Sequence, residues 1–413
     1  MEIILGEVRE SFKSGKTRSL EWRKKQLTAL INLIQDNEQK LSKALFHDLG
    51  KHPAEAYRDE CPIPLVFFPA KGELQPEPLG VILIFSCWNF PISLALDPLI
   101  GAISAGNAVV LKPSDQAPAC SSVLANLIPL YMDSKAIQVI EGGPQICEKI
   151  LLHKWDKIFF TGSAQIGRIV MTAAAKHLTP VTLELGGKCP TILDSLSTTS
   201  DLKVAVKRIA GAKWGPCSGQ ACIAVDYLLV EANFAPTVIE MLKKTIKRFY
   251  GEKPIESKSL ARIVNQRHFE RLTGFLKDPL VAASIIHGGS FDEDNFIEFI
   301  KSRPKPLTIY AFTKDEKFKR RILSETSSGT VMFNDFLCDT LPFGGVDQSG
   351  FGRYHGKYSF DTFSHEKAIM QGSFLIEIEP RYPPWTDFKM KFIRLAYRLN
   401  YFGILLLLLG LKK

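Results

Sequence analysis

No C-x-x-C pair occurs in this chain, which removes the commonest zinc and dithiol redox signatures. The eight cysteines, at positions 61, 87, 120, 147, 189, 217, 222 and 338, are scattered over 413 residues. Such scatter in a long chain fits a reducing compartment and buried thiols better than a disulfide framework, and no metal site is expected. The first 26 residues lack a long apolar stretch followed by a cleavage site, and they carry Glu2, Glu7, Glu10 and Glu21. That composition argues against a secretory signal and against an acid-poor transit peptide. Lysine and arginine runs interleaved with aromatics are also missing, so the net charge of +9 reads as solvated surface and no nucleic-acid partner is expected. Internal repeats and low-complexity linkers are absent.

What is present is an ordinary globular composition, 46% hydrophobic and 23% charged, long enough for two or three domains. Between Leu20 and Leu49 the residues Leu27, Leu30, Ile31, Leu33 and Ile34 fall on one stripe, which predicts a surface helix. From Val81 onward short apolar runs alternate with helical stretches. Strands are predicted at Val81–Phe85, Ala108–Leu111, Ile137–Ile140, Lys157–Phe160 and Val181–Leu185. Helices are predicted between them, one near Cys120–Ile128 stopped by Pro129 and another over Ile166–His177. Strands alternating with helices predict βαβ units and a parallel sheet buried on both faces, an α/β doubly wound nucleotide fold. A second α/β stretch begins near Pro190, with strands at Tyr227–Val230 and Leu307–Phe312.

Several short segments could carry chemistry. Phe160-Thr161-Gly162-Ser163, with Gly167 beyond, closes a strand and opens a helix whose free N–H groups could hold a phosphate, although Gly-Ser also opens many helices for capping alone. Lys112-Pro113-Ser114-Asp115 ends a parallel strand, where open α/β sheets place ligands; a surface turn is the alternative. Glu184 ends an apolar strand, where a carboxylate is either desolvated and suited to base catalysis or simply salt-bridged. Cys222, after Gly219-Gln220-Ala221, is one of eight thiols, and spacing alone does not select it as a nucleophile.

Taken together and in order, the motifs resemble those of the aldehyde dehydrogenase superfamily, in its class 3 or fatty aldehyde dehydrogenase branch as found in plants. The resemblance runs from Leu79 to about Ala368. It rests on Trp88-Asn89-Phe90-Pro91, Lys112-Pro113-Ser114, Phe160-Thr161-Gly162-Ser163, Leu183-Glu184-Leu185-Gly186-Gly187-Lys188, Gly219-Gln220-Ala221-Cys222 and Pro342-Phe343-Gly344-Gly345. It implies NAD or NADP as cofactor, Cys222 as nucleophile, Glu184 as base, and Asn89 with the Cys222 backbone N–H as oxyanion donors. It also implies cofactor contacts from Trp88, Lys112, Asp115, Gly162, Ser163 and Gly167, with Phe343 lining the substrate funnel. An NAD(P)-binding domain would cover residues 1–185 and a catalytic domain residues 186–355. A C-terminal segment, 356–413, would serve subunit contact in a homodimer and membrane association.

The sequence departs from that family at three joins. The family carries more residues between Tyr57 and Pro64 and between Asn334 and Leu341. Near residues 295–299 the chain also lacks a stretch containing a Glu-Glu-Ile-Phe-Gly-Pro motif, whose second glutamate normally holds the nicotinamide ribose. Intact Cys222, Glu184 and Asn89 favour a working oxidoreductase for medium- or long-chain aldehydes. The missing segment favours an impaired dimer partner, or a chain that retains only ester cleavage. The tail pairs Lys389, Lys391, Arg394 and Arg398 with an uncharged Tyr401–Leu411 stretch, too short to span a bilayer, which needs about 20 residues. An interfacial anchor on a cytoplasmic enzyme, at the endoplasmic reticulum or another membrane, is the expectation; a docked terminal helix is the alternative.

Overall fold

A computed structural model describes residue 11 and residues 14–60, 71–194, 198–277, 303–336, 341–372 and 379–411. The joins at 295–299 and 335–341 therefore fall wholly or partly outside the described residues, as does the one after Tyr57. The chain divides into two compact units, residues 76–366 and residues 1–75 with 367–413.

Twelve strands are described: β1 (Lys71–Pro78), β2 (Val81–Phe85), β3 (Ala108–Lys112), β4 (Ile137–Val139), β5 (Lys157–Gly162), β6 (Val181–Leu185), β7 (Cys189–Leu193), β8 (Val225–Val230), β9 (Thr308–Phe312), β10 (Thr330–Phe333), β11 (Gly350–Phe351) and β12 (Ser364–Gln371). In the larger unit, a six-stranded sheet runs β11-β6-β5-β2-β3-β4, and a four-stranded sheet runs β10-β9-β7-β8. Every pairing in both is parallel except that of β11 with β6. The α/β doubly wound class read from the sequence is the class observed.

The period of two along each strand explains why the sheet is apolar on both faces. In β5, Phe159 joins one core with Ile82, Ile84, Leu99 and Leu111. Its neighbours Ile158 and Phe160 join another with Leu83, Phe85, Val170 and Leu183. Truncating a fully buried phenylalanine such as Phe159 to alanine costs about 3–5 kcal/mol in lost transfer energy and residual cavity.

Strand order decides where a ligand can go. From β2 the chain builds outward through β3 and β4, then returns to place β5 on the other side of β2. The order reverses between β2 and β5, so a crevice opens outside their carboxyl ends. The residues that follow β2 are Ser86 to Asn89, and β5 ends on Thr161-Gly162.

Two local expectations are corrected. Pro129 does not stop its helix, which runs Pro118–Tyr131 with the proline inside the last turn. A proline there forfeits one backbone bond, while Met132 N still donates to Ile128 O at 3.0 Å. The Leu20–Leu49 helix is in fact two, Leu20–Asp36 and Glu38–Leu49. Between them Asn37 leaves helical geometry and its Nδ2 donates to Leu33 O at 2.9 Å, satisfying a terminal carbonyl. Neither helix buries a residue, so the leucine stripe lies exposed.

In the smaller unit the tail forms helices Asp387–Tyr397 and Tyr401–Leu408. Among the described residues, no helix is long and apolar enough to cross a membrane.

Candidate active site

Cys222 is set at the mouth of β8 by a strained turn. Cys217 (φ 49°), Ser218 (φ 52°) and Gly219 (φ 83°) are successive left-handed residues, a run that only glycine adopts without cost. At Gly219 a Cβ would also stand 2.9 Å from Lys213 O. Gln220 ties the turn down: its Nε2 donates to Cys217 O (2.9 Å) and Arg262 O (3.0 Å), and its Oε1 accepts from Val264 N (3.1 Å). Behind Cys222, Tyr310 donates to Ile223 O at 2.8 Å, and Cys189 Sγ lies 3.6 Å from Cys222 O. Burial pushes the Cys222 thiol up to about 12, with smaller contributions from Cys189, Glu184 and Cys87.

Glu184 is 3% exposed on β6. Its strand neighbours are Thr161 on β5 and Gly350 on β11. Gly350 has φ 117°, and a Cβ there would meet Leu183 O at 2.0 Å, so glycine is required for β11 to close against β6. Both carboxylate oxygens of Glu184 are buried and unpartnered among the described residues. Desolvation therefore raises its carboxyl well above the ordinary 4.5. Among the described residues, the salt-bridge alternative left open by the sequence is not seen.

Asn89 follows β2 into the crevice. Its Nδ2 donates to Gln220 O at 2.9 Å and its Oδ1 accepts from Phe90 N at 3.1 Å. These two bonds fix which end of the amide is nitrogen, and they leave the second Nδ2 hydrogen uncommitted. An open cavity of ≈ 580 Å³ starts at Asn89 and is lined by Phe90, Ile92, Leu96, Asp97 and Ile100 among others. Phe343 pairs its backbone with Tyr354 (3.0 and 2.9 Å) and stacks its ring on His355, centroids 5.5 Å apart. The Tyr354 hydroxyl is raised by burial, and Glu184, Cys222 and Asp97 add to the effect, so these four groups lie within electrostatic reach of one another.

The remaining predicted residues surround the carboxyl edge of the six-stranded sheet. Lys112 is buried, with Nζ donating to Pro113 O at 2.6 Å, whereas Asp115 is exposed. Ser163 caps helix Ala164–Ala175 by accepting from Ile166 N at 3.3 Å. A Cβ on Gly162 would meet the Phe160 ring at 2.5 Å, and one on Gly167 would meet Leu185 at 3.1 Å. The Trp88 indole packs on His268, centroids 5.0 Å apart, and His268 Nε2 lies 3.0 Å from Gln116 Oε1. Tyr310, Gln220, Tyr354 and Asp97 were not singled out from the sequence. Only Gln220 carried a signal, its place inside a motif; the others are brought close by strand order alone. Among the described residues, no group of three or more metal-binding side chains converges.

Comparison with known proteins matches the profile of the aldehyde dehydrogenase family to residues 2–301 and 292–369. The two stretches meet where the sequence runs short of the family pattern. The chain is 54% identical to aldehyde dehydrogenase family 3 member F1 of Arabidopsis thaliana, covering 100% of this chain and 99% of the relative. That alignment has 477 positions against the 413 residues present, a difference of 64 that must fall in gaps within this chain. It is 40% identical to the dimeric NADP-preferring aldehyde dehydrogenase of Rattus norvegicus, covering 91% of this chain and 96% of the relative. Among solved structures, the substrate-bound AldH of Staphylococcus aureus superposes with a TM-score of 0.74 at 35% identity, covering 94% of this chain and 98% of that one. Most of the chain is matched by the family profile and all of it by a close relative, so this protein belongs to the aldehyde dehydrogenase family, in its class 3 branch.

Proposed function

We propose that this chain oxidises medium- and long-chain aliphatic aldehydes to carboxylic acids with NAD or NADP, through a covalent adduct on Cys222. The observation that carries the reading is the buried, unpartnered Glu184 carboxyl within electrostatic reach of the Cys222 thiol. A thiol pushed up to about 12 is scarcely ionised at neutral pH, so attack on a carbonyl needs a base at hand. Glu184, itself raised, is matched to that task, and can later take a proton from the water that cleaves the thioester. The uncommitted Nδ2 hydrogen of Asn89 and the Cys222 N–H are the donors for the oxyanion of the thiohemiacetal.

The residues present fit the adenosine and pyrophosphate part of a dinucleotide. Gly162 and Gly167 let the turn and its helix pack closely on Phe160 and Leu185, Ser163 opens that helix with its N–H groups free for anions, and Lys112 stands at the end of β3. Lys112 would hold a ribose and Trp88 would bound the crevice, while Asp115, exposed at the same edge, would lie beside that ribose. The bound nicotinamide supplies the hydride acceptor. Phe343 keeps a funnel role through its packing with Tyr354 and His355.

Homodimer formation and attachment of the tail to a membrane surface complete the reading. Phe402, Leu405, Leu408, Leu409 and Leu411 are exposed, as are Lys391 and Arg398. Lys389 is committed to Tyr382 O and Glu379, and Arg394 to Glu38, so only half of the basic lead-in is free for lipid.

The test follows reduced-cofactor formation from hexanal and longer aldehydes with NAD and NADP in turn, beside Cys222→Ala. Turnover abolished by the substitution is the expected result. A folded chain that shows only Cys222-dependent ester cleavage would overturn the oxidoreductase reading for this chain.

A further inference from the structure

The geometry points to Asp97 as the residue that sets charge selectivity for the aldehyde, favouring substrates whose far end is a cationic nitrogen over neutral isosteres and over far-end carboxylates. The inference rests on the reading of Cys222 and Asn89 given above and deepens it.

The open cavity that begins at Asn89 is lined by Phe90, Ile92, Leu96 and Ile100, and Asp97 is the one ionisable side chain among its described lining residues. An apolar cavity with a single carboxylate binds the alkyl part of a ligand by burial and reads its charge at one point. Asp97 lies on helix Ser93–Ser104, one turn or roughly 6 Å along the axis from Ser93, so the carboxylate stands away from the carbonyl-binding amide of Asn89. It is half-buried, and among the described residues no cation pairs with it. Its charge reaches the Tyr354 hydroxyl, which also lies in reach of Glu184 and Cys222. Asn89 and Asp97 line one cavity, which joins the carboxylate to the amide that would receive the carbonyl. The structural alternative is a carboxylate near a helix start, stabilised by the helix dipole; that role would not depend on what the substrate carries.

Opposite charges a few ångströms apart at a partly hydrated site change binding by about tenfold, less in high salt. A matched pair of substrates isolates the effect: 4-trimethylammoniobutanal and its neutral isostere 5,5-dimethylhexanal, with succinic semialdehyde as the anionic member. In the wild-type chain the kcat/KM ratio of cation to isostere is expected near tenfold at low salt. It should fall toward one in Asp97→Asn, recover in Asp97→Glu, and shrink with added salt. A ratio of one in the wild type, or one that Asp97→Asn leaves unchanged, overturns the inference.

If no aldehyde is oxidised, hexanal included, the oxidoreductase reading has failed and Asp97 is judged by binding alone. Calorimetry with the unreactive butyltrimethylammonium ion should then show about tenfold weaker binding to Asp97→Asn, and equal affinities would overturn the assignment.

Discussion

Glu184 and Cys222 are each made unfavourable to ionise by burial, and that shared cost gives a pH signature. Below its raised pKa, Glu184 is a neutral acid and cannot take a proton. Activity should therefore fall on the acid side at a pH well above the ordinary carboxylate value of 4.5. Glu184→Gln should lose that limb along with about 10²–10⁴ of turnover, with thiol attack and thioester hydrolysis both slowed, so that no burst of reduced cofactor precedes the steady state. The same shift has a stability sign. A carboxyl raised in the folded state contributes stability present below the unfolded value and lost as pH rises through the folded one. Glu184→Gln should thus match the wild-type melting temperature near pH 4 and exceed it at pH 8; thermal melts across that range check this. Asn89→Ala removes a donor aimed at the oxyanion and should lower kcat by about 10²–10³, with a smaller change in KM. Cys222 shows the limit of sequence reasoning at this scale. Eight thiols carry no mark that separates a nucleophile from a core cysteine, and only the motif around this one did so.

At the scale of elements, the turn from Pro216 to Gln220 converts a helix end into a platform for the thiol. Gly219→Ala would place a Cβ in a left-handed residue and against Lys213 O, a strain of about 1–3 kcal/mol. Lower thermal stability and at least tenfold lower kcat are expected, with the labelling rate of Cys222 by an alkylating probe reporting its displacement. The carboxyl ends of β2, β3, β5 and β6 were legible because buried parallel strands read as continuous apolar runs. Helix limits were less so: Pro129 was tolerated where one lost bond costs little, and Asn37 broke a periodic stripe by capping it. The tail gives its own test. Deleting residues 401–411 should abolish co-sedimentation with vesicles containing anionic lipid while sparing hexanal oxidation. Unchanged sedimentation would leave the tail as a docked helix.

At the scale of the whole molecule, the family match breaks near residues 292–301, where the sequence runs short of the family pattern. The 64 alignment positions without a residue of this chain show how much is missing overall. A nicotinamide without its ribose anchor samples more orientations, and small misplacements of reacting atoms cost up to about 10² in rate. A chimera carrying the corresponding stretch of the Arabidopsis relative should raise kcat/KM for the cofactor at least tenfold and leave Cys222-dependent esterase activity within about twofold. Equal cofactor kinetics in the two forms would mean that the scaffold places the nicotinamide by other contacts.

The sequence alone determined the α/β alternation and the family, and it singled out Cys222, Glu184 and Asn89 as candidates, because each is written locally as periodicity or as a short motif. Tertiary structure decided the rest. Glu184 has no partner among the described residues because of what surrounds β6, and Tyr310 and Tyr354 reach the site because β9 and the β11 region fold back on it. Asp97 faces a cavity because its helix starts where β2 ends at the reversal of strand order. Desolvation and the proximity of residues far apart in the chain are properties of packing, and no local pattern encodes them.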